Sequence, residues 1–591
     1  MGVVTRGDHG RGPERGPGSP VRPRAPRPAP DRIPGAHGAG HDGHEAAGAE
    51  RWALPAVLAV ALLLRLPGLG ESLWLDETFC SHLRIGTPLD LARTMLSDYH
   101  PPFYFVLMHA WIRVFGDSEL SLRAVPLLSG LLSIYVTARL GERLLGRREG
   151  LVAAALLALS PTHVWYSQEA RPYMTTMLCV LCAAWACAAL DERDLDARTR
   201  RRRTWAYGLA LGAALFSHWY VVAFLAAFTL WPWLCGHAAR RRVTAVNVGL
   251  GLALVLFLVA KSRLGEVKTG SAYLGAFGPA EAWRLLTGWL LTGDSFTPRG
   301  VEAPVGRVLA VLVAVLVAAL LVLGGRRLVV ERRADRRRPA LLLGLLALPA
   351  LLLALTLAGF DRSYIERSAL PAQPFLVLVL AAGAFAPRAI TLRAALPAAL
   401  LVALGLAQGA FHVHEGRWTV YKPNPDWRAL AAWLRPRLDG LASPVPMVSS
   451  FPSPYALSYY EPRVQLAKTF VPADDKLERA VAGVEGLLGS SGPGGWLAGW
   501  LRDGYAEHLR RTEALRRSLR AEVRDLEPGA PLAVLGTEPP PRRCFVLCWP
   551  GDDLGVGPVP TLLADRRVHV VDRARFRMLE ILDCEVVVSG R

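Results

Sequence analysis

Eleven predominantly apolar runs dominate the chain, near residues 52–69, 120–140, 150–166, 172–190, 204–217, 220–236, 243–260, 304–324, 339–359, 369–387 and 394–411. A helix needs about 20 such residues to cross a hydrocarbon core of roughly 30 Å. One soluble core cannot absorb this much apolar surface, 52% of 591 residues. The fold class is therefore a polytopic α-helical membrane protein of about eleven spans. The loops between the runs test that count, because cytoplasmic loops carry the Arg and Lys excess. Alternate loops read "GERLLGRRE", "DERDLDARTRRRR", "HAARRR", "GGRRLVVERRADRRR" and "PRAITLR", while the intervening ones, such as "SHWY" and "FDRSYIER", are poorer in Arg for their length. This alternation predicts a cytoplasmic N-terminus and a C-terminus outside, in the cytoplasmic (inner) membrane of a cell. The weakest pair is 204–236, where two short runs share about 33 residues; read as one span, they would invert every later loop.

The net charge of +18 comes from 68 basic residues, of which only five are lysine. In a soluble chain it would suggest nucleic acid. Here the arginines sit in short loops, where orientation in the bilayer accounts for them, so a nucleic-acid partner is not expected. Residues 1–50, rich in Pro, Gly, Arg and His, lack apolar periodicity and read as a disordered cytoplasmic tail; "HGAGHDGH" within it is low-complexity sequence before it is a metal site. Residues 51–411 form the membrane domain. From His412 the pattern changes to alternating helix and strand signals. "DWRALAAWLRPRL", residues 475–488 and residues 505–526 read as helices, and "VPMVSS", "CFVLCW", "VHVVD" and "CEVVVSG" as strands, giving an extracytoplasmic α/β domain over 412–591. The eight cysteines have no metal-type spacing, and Cys544 and Cys548 share one face of a strand, which leaves room for a disulfide to Cys584. No Gly-rich phosphate loop is present, so nucleotide-driven chemistry is disfavoured.

Chemistry-bearing residues collect in the loops on the outer side. The first begins "ESLWLDETFC" and places two carboxylates, Asp76 and Glu77, where a membrane helix surfaces. Charges at that depth are functional or paired, although the pair also suits the first turn of a surface helix. The same loop continues "DYHPPFYFVLMHAWIRVFG". Pro101 and Pro102 start an amphipathic helix that turns Phe103, Val106, Leu107, Ala110 and Trp111 to the membrane, with His100 and Tyr104 at its start. The second outer turn offers Gln168, Glu169, Arg171 and Tyr173, and the last offers Arg362, Tyr364, Glu366 and Arg367. A carboxylate can take the proton of an attacking hydroxyl while guanidiniums hold a departing phosphate. Interfacial arginines also bind lipid headgroups. "HVHE" at 412–415 has a metal-like spacing but lies where a linker leaves the last span.

In order, "LWLDE", "HPPFYFVLMHAWIRVFG", "SELSLRAVPLLSG" and "LLALSPTHVWYSQEARPY" resemble the GT-C membrane glycosyltransferases of the protein O-mannosyltransferase and aminoarabinose transferase type. The resemblance covers Glu71 to Leu190 closely and extends more loosely to about Tyr460, through "YIERSALPAQP" and "KPNPDWRALAAWL". It implies transfer of a hexosyl or pentosyl unit, with inversion, from a polyprenyl-phosphate donor to an acceptor lipid, glycan or protein outside the cytoplasm. It implies no cofactor, with a divalent metal left open. Asp76 would be the base, Glu77 its neighbour and His100 a phosphate-facing group. Arg171 and Arg367 would bind the carrier phosphate or the sugar, and Tyr104, Gln168, Glu169 and Tyr173 would complete the donor site. Two positions depart from the pattern: Ser368 stands where Tyr is common, and Thr78–Phe79 where one branch carries a basic residue. The alternatives are a transporter or flippase of lipid-linked sugars, which would want broken midplane helices and related halves, and a non-catalytic envelope assembly protein.

Overall fold

The computed structural model describes residues 40–81, 91, 95, 100–192, 194–264, 275–293, 295–296, 303–331, 335–359, 363–413, 425–441, 445–449, 454–466, 543–548, 568–576 and 579–586. The helices expected at 475–488 and 505–526, the tail to residue 39, Arg362 and Glu415 lie outside them.

The eleven apolar runs are helical, although the run 150–166 is divided at Ser160 between two helices and the run 369–387 begins as a 3-10 segment. In chain order, the helices up to the fourth loop are α1 (Gly40–Arg65), α2 (Leu75–Ser81), α3 (Phe103–Phe115), α4 (Glu119–Leu144), α5 (Arg147–Leu159), α6 (Pro161–Ser167), α7 (Tyr173–Ala189), α8 (Ala197–Leu215), α9 (Val222–Leu234) and α10 (Arg240–Leu264). Beyond a short α11 (Pro279–Arg284) come α12 (Ala303–Val330), α13 (Ala340–Leu357), α14 (Gln373–Ala384) and α15 (Ile390–Val413). Six helical stretches among the described residues are long and apolar enough to cross a membrane: Glu119–Leu144, Arg240–Arg263, Val305–Val330, Ala340–Leu357, Glu366–Ala384 and Ile390–Ala410. Residues 204–236 do not form one helix. α8 and α9 are separated by a turn at Phe216–His218, whose amides bond back to the carbonyls of Gly212 and Ala214.

Helices that are apolar all round must be surrounded by other helices or by hydrocarbon. α14 is the enclosed case, with every residue from Gln373 to Ala384 buried. α12 is the lipid-facing case, with Val308, Val311, Leu312 and Val315 exposed. These two helices touch backbone to backbone. A Cβ on Gly324 would lie 2.2 Å from the Val379 carbonyl oxygen, and one on Gly383 would lie 2.1 Å from that of Leu320, the close approach that small residues permit between membrane helices. α3 presents Phe103, Val106 and Ala110 outward and buries Tyr104, Phe105, Met108 and Ile112; Leu107 and Trp111, expected to face the membrane, instead pack half-buried against that inner cluster, where the Trp111 indole N–H donates to Ser121 O at 3.0 Å.

The loop expected over 261–303 contains an element of its own. α11 continues through a π-helical turn, Leu285–Trp289, to Thr292, and ends at Gly293 with φ +57°. Fourteen residues span about 21 Å, too short to cross. Its last carbonyls accept hydroxyls from neighbouring helices, Thr162 Oγ1 to Trp289 O (2.6 Å) and Ser160 Oγ to Leu291 O (2.6 Å).

Beyond α15, α16 (Trp427–Leu438) is capped by Asp426, whose carboxylate accepts the Ala429 amide at 3.1 Å. A second helix, α17 (Pro454–Tyr460), follows the first strand. The strands β1 (Val445–Ser449), β2 (Val464–Leu466), β3 (Arg543–Cys548), β4 (Val568–Phe576) and β5 (Leu579–Val586) form one mixed sheet in the order β2-β1-β3-β5-β4. β1 is parallel to β2 and β3, while β5 is antiparallel to β3 and β4. α16 covers one face, packing Trp427, Leu430, Leu434 and Leu438 on Phe545, Leu547, Leu579 and Ile581.

Candidate active site

The two adjacent carboxylates of α2 have opposite environments. Glu77 folds back over the helix start, and its side chain is 1% exposed. Its Oε1 accepts from Arg123 Nε (2.9 Å) and the Ala170 amide (2.8 Å), and its Oε2 from Arg123 Nη2 (2.7 Å) and the Trp74 amide (2.8 Å). Four donors occupy the lone pairs of the carboxylate. Arg123, buried on α4, spends its remaining N–H groups on the carbonyls of Gly68, Leu69, Glu71 and Ser72, at 2.6–3.2 Å. This pair fastens the 68–77 segment to α4. Ala170 also accepts Cys80 Sγ at 3.3 Å, which joins α2 to the second outer turn.

Asp76 is 38% exposed and meets Arg367 Nη1 only at 3.9 Å, a looser pair than the sealed one beside it. Arg171 donates Nη1 to the Asp76 carbonyl at 3.2 Å and lies 3.2 Å from His100 Nε2 through Nη2. A guanidinium only donates, so this bond assigns His100 Nε2 as the unprotonated nitrogen. Burial pulls the Arg171 guanidinium down, but the negative charges of Asp76 and Glu169 oppose it and the group stays cationic. Its Nε is buried without a hydrogen bond among the described residues.

An aromatic wall completes the site. The Phe103 amide donates to Phe216 O at 2.7 Å, which ties the start of α3 to the end of α8 and brings His100 within 6.3 Å of His218 between ring centres. Tyr173 and Tyr220 lie 5.8 and 5.5 Å from the His218 ring, and Arg367 sits 5.9 Å above the ring of Tyr173. Burial, then the charges of Arg171 and Arg367, push the His218 imidazole down to about 3, so it is neutral at physiological pH. The sequence reading passed over His218, although a histidine at the apex of the very short "SHWY" turn was a visible signal.

Other expected site residues take different places. Tyr104 is fully buried beneath α2, its hydroxyl without a hydrogen bond among the described residues. Gln168 is turned to the end of α1, where its Nε2 donates to Arg65 O (2.9 Å) and to Pro67 O. Glu169 is buried and lies within the field of Arg171. Tyr364 exchanges backbone hydrogen bonds with Gly275, and Glu366 pairs with Arg284, so both hold the segment that precedes and includes α11. Arg65 was not anticipated. It is buried in the last turn of α1 and donates to the carbonyls of Ala61 (2.7 Å) and Ala158 (3.2 Å), to Ser167 Oγ (3.2 Å) and to His163 Nδ1 (2.7 Å). Carbonyls at the ends of α1 and α5 carry the partial negative charge that a cation seeks there.

Residues 99–262 match the family model described as dolichyl-phosphate-mannose-protein mannosyltransferase. That range contains His100, Tyr104, Gln168, Glu169, Arg171, Tyr173 and His218, and stops short of Asp76, Glu77 and Arg367. The chain is similar to ArnT from Cupriavidus metallidurans in the apo state, at 14% identity and TM-score 0.53, over 91% of this chain and 98% of that one. The fold is that of the GT-C membrane glycosyltransferases. The same protein bound to undecaprenyl phosphate matches at 15% identity and TM-score 0.50 with the same coverage. No curated protein matches the chain.

Proposed function

We propose that this protein transfers a glycosyl unit, with inversion, from a polyprenyl-phosphate carrier to an acceptor at the outer surface of the cytoplasmic membrane. The observation that carries the reading is the division of the acidic pair: Glu77 is saturated by four donors, and Asp76 remains half-exposed between two arginines. In the step proposed, an acceptor hydroxyl gives its proton to Asp76 while its oxygen bonds to the anomeric carbon. The bond from that carbon to the phosphate oxygen breaks on the opposite face, and the electron pair leaves with the polyprenyl phosphate. Arg171 and Arg367 offset the charge of the departing phosphate. ArnT, whose fold this chain shares, has been captured with undecaprenyl phosphate, which supports the class of carrier. The reading calls for no cofactor. Eleven crossings, a cytoplasmic 1–50, a catalytic 51–411 and an outer 412–591 are its topology.

Turnover of purified wild type and Asp76→Asn at saturating donor tests the proposal. Loss of the general base should lower turnover on the order of 10²- to 10⁴-fold. Equal turnover would remove Asp76 from the chemistry and return the pair to a structural role.

A further inference from the structure

The segment that carries Asp76 is held from two sides, and one of them belongs to the C-terminal region. α17 packs directly on α2. The Tyr460 hydroxyl accepts the Leu73 amide at 2.8 Å and donates to Glu119 Oε1 at 3.0 Å. Glu119 also receives Arg428 Nη2 at 2.6 Å, and the same nitrogen reaches Gly70 O at 3.0 Å. Leu73 is fully buried, and a buried amide without an acceptor costs about as much as a lost hydrogen bond. Its acceptor here is a side chain 387 residues away. The next amide, of Trp74, is taken by Glu77. Asp76 therefore emerges from a backbone that Arg123 on α4 and Tyr460 on α17 fix on the approach to it, and that Arg171 holds at the Asp76 carbonyl itself.

We propose that Tyr460 is a positioning residue for Asp76, so that the C-terminal region sets the geometry of the transfer step without touching the substrates. This rests on the reading of Asp76 as the base. Without the phenolic oxygen, Leu73 N–H loses its acceptor and Glu119 loses a donor, and the 70–76 segment relaxes away from α4. The arginines that would grip the carrier phosphate stand on other elements and meet this segment at Asp76, so donor binding should change much less than turnover. A displacement near 1 Å at a reacting group can cost on the order of 100-fold in rate.

The experiment compares full-length wild type, Tyr460→Phe and Tyr459→Phe. The Tyr459 hydroxyl donates to Asp117 O (2.8 Å) rather than to the 70–76 segment, and it serves as the control. Two readouts are needed: kcat and donor KM, and backbone amide exchange over residues 70–76. Tyr460→Phe should lower kcat by roughly 10- to 100-fold with a much smaller change in donor KM and speed exchange in that segment, while Tyr459→Phe does neither. Unchanged kcat and unchanged exchange in Tyr460→Phe would overturn the proposal. So would a fall in kcat matched by a similar rise in donor KM and a general loss of protection, since that describes unfolding. If the wild type transfers no sugar while Tyr460→Phe still loosens 70–76, the transfer reading falls and the anchor stands.

Discussion

At the scale of single residues, Asp76 and Glu77 are indistinguishable in sequence because what separates them is distant. Arg123, which saturates Glu77, is 46 positions further on, and the Ala170 amide is 93 positions away. That carboxylates and arginines would share one end of the bundle was legible from loop position; which carboxylate is sealed was not. The consequence is testable in Glu77→Gln. That change leaves the Arg123 guanidinium buried without a counter-charge, at a cost of about 3–5 kcal/mol. We expect a clear fall in thermal stability in detergent, with activity tracking the folded fraction, whereas Asp76→Asn should keep its melting temperature and lose turnover. His218 offers a second test. A histidine held down to about 3 in the folded protein but titrating near 6.5 when unfolded contributes its stability fully above pH 6.5. The contribution falls away as pH drops from there toward 3, because only the unfolded chain takes up the proton. His218→Gln should therefore flatten this part of the melting temperature against pH relative to wild type.

At the scale of elements, apolar runs were readable because their causes are local. Ser118, Ser160 and Asp196 cap α4, α6 and α8 with their own side chains. α11 and its π-helical turn were not readable, since a segment too short to cross is fixed by hydroxyls on α6 and the residue before it. The strands at 445–449, 543–548 and 568–576 follow the apolar patterns, and their pairing adds what pattern cannot. Cys544 lies directly opposite Cys584, while Cys548 lies opposite Glu580. Directly opposed residues of antiparallel strands have Cα atoms about 4.5–5.5 Å apart, inside the range of about 4.4–6.8 Å that a disulfide requires. The two thiols are buried, free and close enough to raise the Cys544 thiol. If the sheet is outside the cytoplasm, a disulfide-donating oxidoreductase should take two electrons and two protons from this pair. Mass spectrometry of unreduced peptides should then find Cys544 joined to Cys584. Two free thiols in protein extracted without reductant would place the sheet in a reducing compartment.

At the scale of the whole molecule, the contacts constrain the topology independently of loop charge. Arg428 and Tyr460 reach Gly70, Leu73 and Glu119, so the chain after α15 lies on the same side of the membrane as the loop that carries Asp76. The number of crossings between the two must then be even. Eleven spans put ten after that loop and satisfy the condition. Merging α8 with α9 would leave nine and violate it, and the turn at Phe216–His218 keeps those helices apart. The positive-inside pattern points to the outer side, because the loops between α4 and α5 and between α12 and α13 carry the arginine clusters. We therefore expect a reporter fused after Arg591 to be active only if it folds outside the cytoplasm, and a cysteine placed at Gly70, whose Cβ would meet nothing within 4 Å, to be labelled by a membrane-impermeant thiol reagent in intact cells. If both probes reported the cytoplasm, the even count would survive but the orientation would reverse, placing the Asp76 site inside. If they reported opposite sides, no even number of crossings could stand, and the docking of Tyr460 on the Asp76 segment would have to be abandoned with it.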